Sequence, residues 1–472
     1  MSAAATPARP EALLLRDATE QARALAAGEA SSEQLIEATL AAIDRLNPRL
    51  NCFLHVDEEG AREAARASDR RRREGALRGP LDGLPVAVKD NIDVCGMPTT
   101  AGLRQPLHDA GDDAPVVHRL RAAGGVLIGK LNMDEAALGT ANANPHHGAC
   151  YNPWGNGYVP GGSSGGSGSA VAAGLCALAL GTDTMGSVRI PAACCGVVGL
   201  KPSVGRIPNR GVVACSRRLD TVGPLVRGPR DLDWILPLLE GLAPADASGR
   251  LYPAYVPATA SLAGLSLAVA TDLGQSVALS PEVEQLYRDA QAELQARGAA
   301  LQGVSVMGLD FGACRRAGLV VVEGDLRIAL AEPLAERPDD ISPELHKMLA
   351  WIVGRSAPEL AAADWALDRA AEALLACLGD RRALLLPTVP VPAFLHGSPV
   401  PSGHADLTAV VNMAGLPAIS VPVGLSSEGL PLALQLIGPL GSEAELVALA
   451  AGLADCFPEC PPPCTGVPGK GK

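Results

Sequence analysis

Aromatic side chains are scarce in this chain, 3% of 472 residues. No stretch can therefore be singled out as an aromatic box around a ligand. Charged residues make up only 19%, against 48% hydrophobic. That balance supplies ample material for a core and excludes a disordered chain. Positive charge is also in deficit, with a formal net charge of −12 at pH 7. Binding nucleic acid through phosphates needs a basic face, so no nucleic-acid partner is expected. The one dense basic run, Arg70 to Arg73, closes a helical pattern that begins at Glu58. Cations suit the carboxyl end of a helix, and the run reads as a solvated helix end.

Long apolar runs are missing too. The longest, Ala170 to Leu180, is interrupted by Gly174 and falls short of the roughly 18 residues a membrane span needs. The N-terminus lacks a charged-then-apolar signal pattern. The expected location is the cytoplasm, with no membrane partner and with reduced cysteines. Cys456, Cys460 and Cys464 stand four apart in a Pro-rich tail. Zinc sites prefer Cys-x₂-Cys pairs or added histidines, so no metal is expected there, and nothing else calls for a cofactor.

Lysine is the most informative shortage. Of 39 basic residues only six are lysine: Lys89, Lys130, Lys201, Lys347, Lys470 and Lys472. Arg keeps its proton near neutral pH, whereas a buried Lys can lose it. Each internal Lys therefore asks for a reason that Arg would not satisfy.

Along the chain, Asp17 with Glu20 and Ser31 with Gln34 fit capping boxes. Leu35, Leu40, Ile43 and Leu46 form a helical stripe expected to end before Pro48. Strands are expected at Gly83 to Asp90, Val126 to Gly129, Leu265 to Ala270, Ala383 to Leu386, Ala418 to Gly424 and Leu432 to Gly438. Helices are expected at Ala114 to Ala123, Pro281 to Arg297 and Pro343 to Leu375. This alternation favours an α/β layered fold. No internal repeat or long polar linker divides the chain. One domain over 10–458 is expected, followed by a flexible Pro- and Cys-rich tail over 459–472.

Two familiar motifs are set aside. Gly124 to Lys130 nearly spells a phosphate loop, but Leu131 replaces the required Ser or Thr, and Val-Leu-Ile inside it reads as a strand. Gly161-x-Ser163-x-Gly165 matches a nucleophile elbow, but Tyr158-Val159-Pro160 is a poor strand end, and nothing marks His118 or His404 as its partner.

The third pattern is longer. Gly161-Gly162-Ser163-Ser164-Gly165-Gly166-Ser167 precedes an Ala-rich stretch and then Gly181-Thr182-Asp183-Thr184-Met185-Gly186-Ser187-Val188-Arg189-Ile190-Pro191-Ala192. Upstream lie Gly83 to Ile92, around Lys89, and Gly129 to Glu135; downstream lie Asn412 to Pro422 and Gly429 to Gly438. This ordered set resembles the amidase signature family, with the core of the likeness over 155–211. The resemblance implies a large mixed central β-sheet covered by helices on both faces. It implies a serine nucleophile at Ser187, a bridging Ser163 after a cis peptide bond, and Lys89 as base. Neutral Lys89 would take a proton from Ser163 as Ser163 takes one from Ser187, and the relay would run back to protonate the leaving nitrogen.

Burial on an apolar strand would lower the Lys89 pKa in the needed direction. Strand alternation sends Asp90 to the other face. The N–H groups of Thr184, Met185, Gly186 and Ser187 would form the oxyanion hole. Met185 stands where the family commonly has a second Gly, which could strain φ or place a thioether at the pocket mouth. Asp183 and Arg189 read as ions holding the loop. Cys194 and Cys195 read as small core fillers, and His146 and His147 as loop residues near the pocket.

The expected function is hydrolysis of a small carboxamide to a carboxylate and ammonia or an amine, through an acyl-enzyme. The alternative is the glutaminase subunit of a tRNA-dependent amidotransferase, which would need partner subunits. Glutamine also calls for an Arg clamp on its α-carboxylate. In that branch a late helix carries it, and the comparable stretch here, Glu344 to Gly354, has none, although Arg355 follows. A non-catalytic homologue serving as a binding or structural component is the remaining class. Homodimers are common among relatives, and the acyl pocket would be built by the variable region from about Pro244 to Pro399.

Overall fold

The computed structural model describes residues 10–259, 261–458 and 463. Eleven strands form one sheet: β1 Phe53–Val56, β2 Pro85–Lys89, β3 Val126–Leu131, β4 Leu178–Asp183, β5 Val198–Lys201, β6 Thr221–Val226, β7 Ser266–Ala270, β8 Ala300–Val304, β9 Ala383–Pro387, β10 Ala418–Leu425 and β11 Pro431–Ile437. Their spatial order is β1-β3-β2-β4-β6-β5-β10-β11-β9-β7-β8. The sheet is mixed. β2 runs parallel to both β3 and β4, and β7 to both β8 and β9. The middle strands pair antiparallel. Helices cover both faces, sixteen among the described residues, as expected of an α/β layered fold. β2, β3, β4 and β6 are buried at every position. A strand covered on both faces reads as a continuous apolar run and not as an alternation.

Several boundaries differ from the sequence reading. The helix over Ser32–Leu50 runs through Pro48. Pro48 lies in its last turn, where only the bond to the Asp44 carbonyl is lost, and burial of Leu50 holds the chain helical. Ser31 and Gln34 form the full capping box, whereas Asp17 caps the Glu20 N–H without the reciprocal bond. The stretch from Pro343 is two helices, Pro343–Val353 and Ala357–Leu378, broken where Ser356 and Glu359 cap the second. The arginine run is not purely solvated. Arg71 forks onto the buried carboxylate of Asp82, at 2.9 and 2.6 Å. Strands β1, β4, β5, β6 and β8 fall outside the sequence expectation, because none of them shows a clean two-residue alternation. Cys460, Cys464 and nearly all of the expected tail lie outside the described residues.

Candidate active site

Two parallel neighbours bring the candidate residues together. β2 ends on Lys89 and β4 ends on Asp183, with Val88 opposite Leu180. Both carboxyl ends open on the same side of the sheet, where α/β folds place their ligands. Antiparallel β6 starts with Thr221 opposite Asp183, which brings Asp220 to the same edge.

Lys89 is fully buried. Its Nζ donates to Ser163 Oγ at 2.7 Å and to Thr182 Oγ1 at 2.8 Å. Asn91 Nδ2 donates to the same threonine oxygen at 3.2 Å. Burial pushes the Lys89 ammonium down from 10.5 to about 8, while the charges of Asp134, Asp220 and Asp183 pull the other way. Burial also raises Asp134 and Asp220 to about 6, so both are ionised at neutral pH. The nearby Cys215 thiol is pushed up by burial, stays neutral and lends no charge.

The peptide bond Gly162–Ser163 is cis. It passes tightly over Asp134: a Cβ on Gly162 would lie 2.1 Å from Asp134 Oδ2. The Asp134 N–H donates to the Ser163 carbonyl at 3.2 Å, and its carboxylate accepts from the N–H groups of Asn142 and Ala143 at 3.0 and 3.2 Å. Asp134 thus both holds the serine turn and biases the lysine. Ser187 is joined to this turn through its carbonyl, which accepts from the Ser164 N–H at 3.2 Å. The Ser187 hydroxyl has no hydrogen-bond partner among the described residues, and it lines a cavity of about 370 Å³.

The loop from Thr184 to Ser187 departs from the sequence reading at one donor. The Gly186 N–H is taken by Asp183 Oδ1 at 2.7 Å, so it is not open to a substrate oxygen. The partner of a backbone N–H is set by side-chain placement across the turn, which sequence does not show. The N–H groups of Thr184, Met185 and Ser187 have no hydrogen-bond partner among the described residues. Gly186 has φ +127°, and a Cβ there would lie 2.2 Å from Thr408 Oγ1; Thr408 Oγ1 itself donates to the Met185 carbonyl at 2.7 Å. Met185 is not among the residues with a positive φ. Its thioether lines the cavity and packs on Gly318, where a Cβ would come within 2.9 Å of the sulfur.

Beneath the loop, Arg189 and Asp183 form a fully buried fork, Nε to Oδ2 and Nη2 to Oδ1, both at 3.0 Å. Arg189 also donates to Asn412 Oδ1, Gln435 Oε1 and the Thr408 carbonyl. Burial alone would raise the Asp183 carboxyl, but Arg189 outweighs it and holds it at about 2. Replacing Arg189 by Leu is expected to cost about 3–5 kcal/mol, because it strands a buried carboxylate. Denaturant unfolding of the variant would measure this; a loss below about 1 kcal/mol would contradict it.

Other candidates fall elsewhere. His146 bonds Glu135 at 2.9 Å and His147 the Leu103 carbonyl at 2.8 Å; neither lines the cavity. Cys194 and Cys195 are buried free thiols. Lys130 sits 3.5 Å from Asp90 and donates to the Pro98 carbonyl, as a buried strut. Arg355 stacks over Trp351 at 3.8 Å and pairs with Glu359, away from the cavity. The sequence reading missed Thr182, Asp220, Thr408 and Arg315, and weighed His404 only as a nucleophile-elbow partner. Thr182 lies inside the signature block; Arg315 and His404 lie in or beside the variable region, with no motif around them.

The Amidase family model matches residues 34–447. The chain is 36% identical over 461 residues to the A subunit of glutamyl-tRNA(Gln) amidotransferase from Synechococcus sp. (strain CC9605), covering 90% of this chain and 93% of that one. It superposes on a crystal structure of an amidase with a TM-score of 0.85 at 32% identity, covering 94% of this chain and 100% of the other. It likewise matches 6-aminohexanoate cyclic dimer hydrolase complexed with substrate, with a TM-score of 0.83 at 30% identity, over 96% and 99% of the two chains. A match over most of the length, with the signature block folded around one cavity, means that this chain belongs to the amidase signature family.

Proposed function

We propose that the protein cleaves a carboxamide C–N bond, with Ser187 as nucleophile and Ser163 and Lys89 as its proton relay. The observation that carries this is the buried contact from Lys89 Nζ to Ser163 Oγ, 2.7 Å, next to the loop that carries Ser187 into the cavity. Amide carbonyls are poor electrophiles, so the serine needs a base, and the leaving nitrogen needs a proton. A lysine titrating at about 8 can serve in both directions. Ser187 Oγ is unpinned and is free to rotate onto Ser163 as substrate enters. The N–H groups of Thr184, Met185 and Ser187 are available to stabilise the tetrahedral oxyanion. The acyl-enzyme is then hydrolysed by water through the same relay.

A second reading has a specific observation behind it. Relatives at 36–38% identity are A subunits of glutamyl-tRNA(Gln) amidotransferase, which favours release of ammonia from glutamine within a larger assembly over a free-standing amidase. Partner subunits belong to that reading. Its carboxylate clamp would fall to Arg315, the one arginine lining the cavity among the described residues, and not to Arg355. The test is ammonia release by the purified chain alone from glutamine, biuret and simple aliphatic amides. Turnover of simple amides with glutamine untouched would favour the free-standing amidase. Activity confined to glutamine would favour the amidotransferase component. Silence towards every amide would remove the hydrolase reading for the isolated chain.

A further inference from the structure

The cavity that Ser187 lines also holds two basic side chains, Arg315 and His404. Most of its wall is apolar, with Leu138, Met185, Ile190, Leu319, Val322 and Met348 among its lining. Arg315 lines it from the Phe311–Ala329 helix, and His404 lines it from the loop before the Asp406–Met413 helix. Arg315 Nε is fixed by Asp406 Oδ1 at 2.6 Å, while its two Nη groups have no partner among the described residues. His404 is 2% exposed, and both ring nitrogens lack a hydrogen-bond partner among the described residues. A buried polar side chain left unpaired is uncommon and points to a missing partner. A forked guanidinium with its outer nitrogens open, lining the same cavity as a ring that can donate one N–H, matches a carboxylate.

Resting on the amide-hydrolase reading, we infer that the substrate is an amide bearing a carboxylate at the end remote from the scissile bond, held by Arg315 and His404. Burial keeps His404 neutral, down at about 4, so its single N–H donates without adding charge and Arg315 carries the recognition. The apolar wall would surround the carbon chain between the two ends. Asp406 aims the guanidinium; Arg315 is a specificity residue and not a reacting group.

Binding separates this inference from the catalytic reading. Ser187→Ala protein would be titrated calorimetrically with succinamate and with butyramide, amides of similar length with and without the carboxylate. The affinity for succinamate should exceed that for butyramide by about tenfold or more. Adding Arg315→Met should bring the ratio near one, and adding Arg315→Lys, which keeps the charge without the fork, should leave an intermediate ratio. Equal affinity of the two amides for Ser187→Ala protein would overturn the inference even if the Arg315 variants failed to fold. So would a ratio that Arg315→Met leaves unchanged. Ammonia release by the unaltered protein, run beside the titrations, tests the hydrolase reading separately: turnover without carboxylate preference sinks only the subsite.

Discussion

Replacing Ser187 by Ala is expected to lower amide turnover by about 10⁴-fold or more, because a nucleophile and its relay act as one unit. The fold should hardly notice. Ser187 contributes its backbone carbonyl to Ser164, which Ala retains, and its hydroxyl has no partner among the described residues to lose. The thermal midpoint should therefore move little while ammonia release disappears. Ser163→Ala should be nearly as inactive, and the double variant should be no worse than either alone. Additive losses in the double variant would mean that the two serines do not share a proton path. Ordinary turnover by Ser187→Ala would place the nucleophile elsewhere.

Lys89 should set the pH dependence, and its removal should trade activity for stability. The competent form is the neutral amine, and burial places its pKa at about 8. At pH 7 about one-tenth of the protein would hold it deprotonated, so kcat/KM should rise with pH and level off above about 8. Asp220→Asn removes a negative charge that favours the ammonium, so the acid limb should shift to lower pH. A limb that stays in place would show that Lys89 is not the group being titrated.

The same shift is a stability statement. The folded-state pKa lies below the unfolded value of 10.5, so between about pH 8 and 10.5 the unfolded chain holds the extra proton. Stability is therefore reduced below about pH 8, by about 3 kcal/mol, and the deficit fades as pH rises through 10.5. Lys89→Met would remove that penalty at about pH 7 but lose hydrogen bonds to Ser163 and Thr182, leaving about 1–2 kcal/mol of net stabilisation. An inactive but more stable protein is the expected result, read from denaturant unfolding at neutral pH. A variant less stable than the parent would mean that the charged lysine is better satisfied than its burial implies.

Family, sheet class and the polar residues on regular elements are legible in the order of residues alone. The lysine shortage, with Lys89 at the end of an apolar strand and serines in a Gly-rich block, is a one-dimensional signal, because each residue is fixed by its neighbours within a few positions. Asp90 on the opposite face follows from strand alternation, and the structure places it on Thr100, Gly102 and Lys130. Other features depend on contacts between distant segments, which alternation and motif spacing cannot carry. Pro48 continues its helix because burial of Leu50 outweighs one lost bond. Asp183 claims the Gly186 N–H because a buried carboxylate gathers the donors around it, whichever residues lie nearest in sequence. Asp220 reaches Lys89 only because β6 returns antiparallel to β4. Arg315 and His404 meet in the cavity from segments far apart in the chain, and no local pattern could have paired them.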